Sequence, residues 1–305
     1  MAHNHSHHHH GAHTAVPKAA ARPELLRRAT MAAIAVSVTL MTLKLGAWTV
    51  TNATSLLSSL ADSLSDILMS WVNYFAVRYA SKPADDDHRF GHTSMEDIAG
   101  LVQFSLICGS MLFIAAHGIQ NLVDGSHITE PQYGIWVMII SLLLTTSLVI
   151  YQRYVYSVTG SLIVKADSLH YVGDILMAVA IIGSLIAASM FDIHWLDSLL
   201  ALCIAVYVII EARHIGLRAF NNLMDHEMPD AEKEKILEVL HAFPEVKGHH
   251  NLKTRYSGVK PFIQMHVELS KDLSFLQAHE ITEKLEHALQ SLYDDAEVIL
   301  HQDPV

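Results

Sequence analysis

Cysteine is nearly absent: Cys108 and Cys203 are the only two in the chain. Both lie in apolar runs, which excludes a disulfide framework and a thiolate metal site and leaves them as small buried side chains. Basic residues are also few, 20 Lys and Arg against 31 Asp and Glu, for a net charge of -11. Most of that negative charge lies after Leu223, which argues against a nucleic-acid partner. No His-Glu-x-x-His occurs, so a metallohydrolase lacks its usual helix-borne signature. A signal peptide is missing as well, because the first apolar run starts near Ala29 and is long enough to span a bilayer.

Apolar residues are abundant, at 51% of the chain. The excess is confined to the part before Leu223. Apolar stretches near Ala29–Val50, Ser55–Tyr79, Ile98–Val123, Tyr133–Tyr156, Leu162–Met190 and Trp195–Ala219 each reach the ~20 residues needed to cross hydrocarbon. Three of the connections, Thr51–Thr54, Asp124–Pro131 and Phe191–His194, contain no Lys or Arg. The opposite ends carry Arg22, Arg27, Arg28, Arg78, Lys82, Arg89, Arg153, Lys165, Arg213 and Arg218. By the positive-inside rule both termini are cytoplasmic.

The chain divides into a His-rich tail over 1–21, a six-helix membrane domain over 22–222 and a soluble domain over 223–305. The tail holds His3, His5, His7 to His10 and His13. Its reading stays open between a disordered tract containing part of a purification tag and a low-affinity metal-gathering segment. In the soluble part, Pro229 opens a helix reaching about Phe243. Leu252–Tyr256 and Pro261–Leu269 are strand-like around Ser257-Gly258, Leu276–Tyr293 is helical, and Glu297–His301 is a last strand. The order α-β-β-α-β predicts a small open sheet with helices on one face.

Inside the second apolar run, Asp62 and Asp66 stand one helical turn apart on one face. Each ionised aspartate at mid-membrane costs roughly 2.5–3.5 kcal/mol on insertion scales, so something cationic must compensate. The fifth run repeats the spacing with His170 and Asp174, and Asp167 lies a turn earlier. Three carboxylates and an imidazole suit a tetrahedral divalent ion, zinc first, with cadmium or ferrous iron also compatible. The alternative is that each acid only pairs with a neighbouring helix; two matching pairs weigh against it. Asp167 is open between a part in the metal site and a role only as an entrance charge or a helix-end interaction.

Two further groups rest on weaker patterns. Asp85, His88 and His92 have three-ligand spacing in a loop that could equally be a solvated cap on the third span. His250, His266, His279, His301 and Asp303 are scattered through the soluble domain, where a sheet could gather some of them. His241, His249 and His287 read as surface residues, His117 as a packed and hydrogen-bonded one, and Lys44 as snorkelling or paired with a polar neighbour.

Leu60-Ala61-Asp62-Ser63 with Asp66, Pro83-Ala84-Asp85 with His88-Arg89-Phe90-Gly91-His92, and Ala166-Asp167-Ser168-Leu169-His170 with Asp174 occur in this order. Phe262 to His266 and Glu297 to Pro304 follow them. Together they resemble the cation diffusion facilitator family, and within it the bacterial ferrous-iron/zinc efflux pumps of the YiiP type, from about Arg28 to Val305. The resemblance implies six membrane helices and a ferredoxin-like cytoplasmic domain, working as a homodimer in the bacterial inner membrane. It implies a transport site at Asp62, Asp66, His170 and Asp174, and a loop site at Asp85, His88 and His92. It also implies a binuclear regulatory site at His250, His266, His279, His301 and Asp303, the last as the bridge. Relatives carry a lysine two residues after the loop histidine; here that position is Ser94, so a charge interlock with Asp225 does not carry over.

The expected activity is export of a divalent metal, zinc above cadmium or ferrous iron, by metal/proton antiport and not by an enzyme. Asp62, Asp66, His170 and Asp174 would hold the metal and the protons in turn, since ligands must be deprotonated to bind. His170 has the unperturbed pKa nearest neutral. The rivals are a metal-dependent membrane hydrolase, which lacks its motif, and a metal sensor, for which paired acids inside the membrane serve no purpose.

Overall fold

The computed structural model describes residues 18–51, 54–124, 134–191, 195–293 and 295–305. The His-rich stretch before Lys18 lies outside the described residues. Six long helices come first: α1 (Lys18–Thr51), α2 (Thr54–Ala80), α3 (Met95–Asp124), α4 (Gly134–Thr159), α5 (Leu162–Phe191) and α6 (Leu196–Leu223). Among the described residues, four stretches are long and apolar enough to cross a bilayer: Arg22–Gly46, Met95–Gln120, Ile139–Thr159 and Ser198–Leu223. They belong to α1, α3, α4 and α6. The remaining two long helices, α2 and α5, carry the acids, serines and histidine picked out by their spacing.

The helices pack through small and branched side chains. Ile107 and Met111 of α3 lie against Ala205, Val208 and Ala212 of α6. A Cβ on Gly216 of α6 would sit 2.6 Å from the Phe104 ring, so the two helices approach closely there because that side chain is missing. Leu26 and Ala29 of α1, Ala76 and Val77 of α2, Val155 of α4 and Ile163 of α5 form a second cluster. Large apolar side chains such as Phe113, Leu143 and Ile150 remain exposed, a surface matched to hydrocarbon. Cys203 is on that exposed surface of α6 and Cys108 is half-buried, so the expectation of two buried cysteines is corrected. His117, expected to be packed, is exposed on α3. Lys44 donates to Ser63 Oγ at 2.7 Å, the polar neighbour its position called for.

The soluble unit follows as α7 (Asp230–His241), β1 (Val246–Ser257), β2 (Lys260–Leu269), α8 (Phe275–Gln290) and β3 (Glu297–Pro304). The sheet order is β1-β2-β3, with β1 antiparallel and β3 parallel to β2. Alternation along β2 sends Ile263, Met265 and Val267 into a core with Ile236 and Leu240 of α7 and Leu285 and Leu289 of α8. Gln264, His266 and Glu268 therefore face away from the helices. β1 starts earlier than its apolar pattern suggested, because register shifts between Val246 and Gly248 and between His250 and Lys253, with Asn251 at φ 54, break the period of two. α8 begins with a capping box from Ser274 and Gln277 and ends before Tyr293, whose hydroxyl donates to Glu232 at 2.9 Å.

The β1–β2 turn docks on the helical part. Asp97, buried near the start of α3, accepts from the Gly258 N–H at 2.6 Å and from Asn222 Nδ2 of α6 at 2.8 Å. The same Asn222 amide reaches the Gly258 carbonyl at 3.2 Å. Ser257 Oγ meets the hydroxyls of Thr93 and Ser94, each at 2.8 Å. Gly258 has φ +60, and a Cβ there would lie 2.7 Å from the Thr93 carbonyl oxygen, so only glycine fits. Asp225 pairs with Arg255 of β1 at 2.8 Å.

Candidate metal centres

α2 and α5 meet along a polar seam. His170 Nε2 lies 3.0 Å from Asp66 Oδ1 and 3.8 Å from Asp174 Oδ2. One turn further along α2, Ser70 Oγ is 3.3 Å from the Tyr171 hydroxyl, which also meets Ser37 Oγ of α1 at 2.8 Å. Next, Asn73 Nδ2 donates to Asp167 Oδ1 at 2.9 Å. From Asp66–His170 to Asn73–Asp167 the number rises on α2 and falls on α5, as expected of two antiparallel helices. Asp66, His170 and Asp174 each present a ligand atom within 4.8 Å of the others. Two carboxylates and one imidazole at that spacing offer hard-to-borderline donors on one centre. Asp62 lies one turn before Asp66 on α2, and its side chain is outside the described residues.

Asp167 is not part of that trio. It is buried, and its second oxygen accepts from Gln152 Nε2 of α4 at 2.5 Å. Asn73 in turn accepts from Gln103 Nε2 of α3 at 2.7 Å. A chain of amides from three helices thus ends on one carboxylate, with Gln103 Oε1 and Gln152 Oε1 buried and without a partner among the described residues. This cradle settles the open reading of Asp167 as an interior tie. Asn73 stands seven residues after Asp66, on the same helical face, but a neutral amide in an apolar run carries no signal of its own.

In the α2–α3 loop, Asp85 Oδ1 accepts from the His88 N–H at 2.7 Å and from the Asp87 N–H at 3.1 Å. Asp85 Oδ2 is 3.3 Å from His92 Nε2, and its Oδ1 is 3.3 Å from His88 Nδ1. His92 is buried edge-on against Tyr79, with its Nδ1 3.2 Å from the Pro83 carbonyl. Each ring nitrogen of His92 therefore faces an oxygen acceptor, Nδ1 the Pro83 carbonyl and Nε2 the Asp85 carboxylate. The His88 backbone hydrogen bond is the main cause that holds the Asp85 carboxyl below its ordinary range.

In the soluble domain, strand register does what helical spacing does in the membrane. His250 is opposite His266 across β1–β2, and His266 is opposite His301 across β2–β3. Neighbouring rings in that row have centroids 4.8 and 4.6 Å apart. Asp303 Oδ2 lies 2.9 Å from His266 Nδ1 and 3.3 Å from His250 Nε2, while Oδ1 lies 3.4 Å from His301 Nε2. His266's hydrogen bond leads the causes that keep the Asp303 carboxyl below its ordinary range. His279 is not brought in: it is exposed on α8 with its ring parallel to that of Phe275. Glu268 joins instead, its Oε1 3.1 Å from His250 Nδ1. It is two residues beyond His266, on the same face of β2, which is how its position could have been read.

The cation efflux transmembrane domain family matches residues 30–224, and the cation efflux protein cytoplasmic domain family matches residues 228–305. The cation-efflux pump FieF of Salmonella arizonae is 41% identical over 280 residues, covering 92% of this chain and 93% of that protein. FieF of Salmonella schwarzengrund is similar to the same extent. The metal-bound C-terminal domain of the CzcD transporter from Thermotoga maritima is 33% identical over 24% of this chain and 87% of its own, with a TM-score of 0.24.

Proposed function

As this chain belongs to the cation efflux family, we propose that it is an exporter of zinc by metal/proton antiport, with cadmium and ferrous iron as further substrates. Six membrane helices, both termini in the cytoplasm of a bacterial inner membrane and a homodimeric assembly complete the reading. The observation that carries it is the meeting of Asp66, His170 and Asp174, from two helices of the membrane domain, on one centre. Asp62, a turn from Asp66, supplies the fourth ligand.

The chemistry follows from competition. A zinc ion needs deprotonated carboxylates and a neutral imidazole, so binding from the cytoplasm expels protons. When the site faces outward, protons returning to His170 and to Asp62, Asp66 and Asp174 displace the metal. Alternating access lets both exchanges run at one site. In the soluble domain, His250, His266, His301 and Asp303 form a second, regulatory metal centre in which the two oxygens of Asp303 serve different histidines. A metal there neutralises the carboxylate and cross-links three strands, which favours the active dimer. His279, away from this cluster within one chain, is assigned to the same centre by family resemblance. Asp85, His88 and His92 form the loop centre.

The test is uptake of zinc into sealed vesicles holding an internal metal dye, under an imposed pH gradient. The proposal expects gradient-driven zinc entry that is lost in Asp66→Ala and Asp62→Ala. Zinc entry independent of the gradient removes antiport, and entry undiminished in both variants removes the site.

A further inference from the structure

A cavity of about 330 Å³ opens between α4, α5 and α6, lined by Arg153, Tyr156, Lys165, Ser168, Tyr207 and Glu211 among others. It is separate from the three metal centres. Among the described residues, neither Arg153 nor Lys165 forms an ion pair with an acid, and Glu211 forms none with a base. Lys165 lies over the Tyr156 ring at 5.4 Å. Two cations, one anion and two tyrosines thus share one groove, without neutralising one another by contact.

The depth of the groove follows from the α4–α5 turn. A Cβ on Gly160 would touch Val259 of the β1–β2 turn at 3.7 Å, so this end of both helices faces the soluble domain. Lys165 and Arg153 lie five and seven residues from Gly160, roughly 8–10 Å along the helices at 1.5 Å per residue. That is the headgroup layer, and the flexible stems of Lys and Arg reach towards it. Tyrosine is at home at the same level.

We propose that this groove binds the headgroup of an aminophospholipid, a phosphate diester bearing a primary ammonium, in the leaflet next to the soluble domain. Arg153 and Lys165 take the phosphate oxygens, Arg153 as a planar fork and Lys165 as a point charge. Glu211 and the Tyr207 face take the ammonium. A purely anionic headgroup places a negative charge beside Glu211, and a choline headgroup offers Glu211 no N–H to accept. The acyl chains continue over the exposed apolar surface of α4 and α6, including Ile150 and Ile210.

The test uses the full-length protein, stripped of lipid in detergent and then offered phosphatidylethanolamine, phosphatidylglycerol or phosphatidylcholine. Retained lipid is counted by native mass spectrometry. Phosphatidylethanolamine is expected to be retained about fivefold over the other two. Arg153→Gln with Lys165→Gln reduces retention of all three to one common level. Arg153→Lys with Lys165→Arg keeps the preference, which shows that losses in the first pair are not misfolding. Glu211→Gln abolishes the advantage over phosphatidylglycerol. Equal retention of phosphatidylethanolamine and phosphatidylcholine overturns the proposal, as does an unchanged preference in Glu211→Gln. Soluble glycerophosphoethanolamine is the remaining arm: competition by it at the lipid's own concentration replaces the lipid assignment with a free phosphoamine.

Discussion

The membrane trio and the sheet cluster use the same side chains and build them in opposite ways. Asp66, His170 and Asp174 come from two helices, with the i,i+4 pair on α5 meeting a carboxylate from α2. His250, His266 and His301 come from three strands and stand side by side because the register places them so. The first arrangement depends on how deeply two helices slide past one another. The second depends on a hydrogen-bonded ladder that a one-residue slip would turn inside out. The centre proposed for transport is therefore on the slidable framework, and the cluster proposed for regulation is on the fixed one.

That contrast can be broken most directly at Asp66. Asp66→Ala is expected to cost at least about 100-fold in zinc transport. It leaves the metal bound by the soluble domain unchanged, as equilibrium dialysis of the full chain with its partner sites would report. Asp303→Asn is the mirror experiment. It should weaken metal binding at the sheet by about 10- to 100-fold while zinc still binds the membrane trio. If either variant empties both centres, the two regions are not independent.

Smaller effects sharpen the comparison. Asp167→Leu strands the Asn73 and Gln152 amides, at about 1–3 kcal/mol each, and lowers the thermal midpoint. Asp167→Asn should be milder, because flipping the Asn73 and Gln103 amides repairs the chain and gives the orphaned Gln103 Oε1 a donor. A thermal-shift assay comparing both separates a hydrogen-bonded tie from a requirement for charge. The smallest effect concerns pH. The Asp303 carboxyl is held below its ordinary value of 3.8, so its contribution to folding is present above that value and fades only as acid carries the pH below it. Chemical-shift titration of the metal-free protein should show the His266–Asp303 bond intact at pH 5.

The helical part was legible because membrane helices announce themselves by length, and acids inside them by their cost. Asp66, His170 and Asp174 follow from spacing alone once the two helices are taken as neighbours. The Asn73–Asp167–Gln152 tie was not legible, since neutral amides in an apolar run carry no periodic signature until their partners are known. The first half of β1 is hidden in the sequence because its bulges break the alternation that marks a strand. His279 is not brought to the cluster within one chain, and its place there rests on family resemblance alone, while Glu268, one pleat from His266, went unread.

Gly258 and Asp97 have a mechanical meaning beyond their hydrogen bonds. The polypeptide enters the soluble domain once, through the short segment between Leu223 and Asp230. The hairpin turn adds a second point of attachment, and it grips α3 and α6 together through one carboxylate and one amide. Two anchor points define an axis, so the sheet cannot swivel freely on its linker. Any sliding of α3 against α6 must either carry the sheet along as a lever or tear a buried carboxylate from both of its donors.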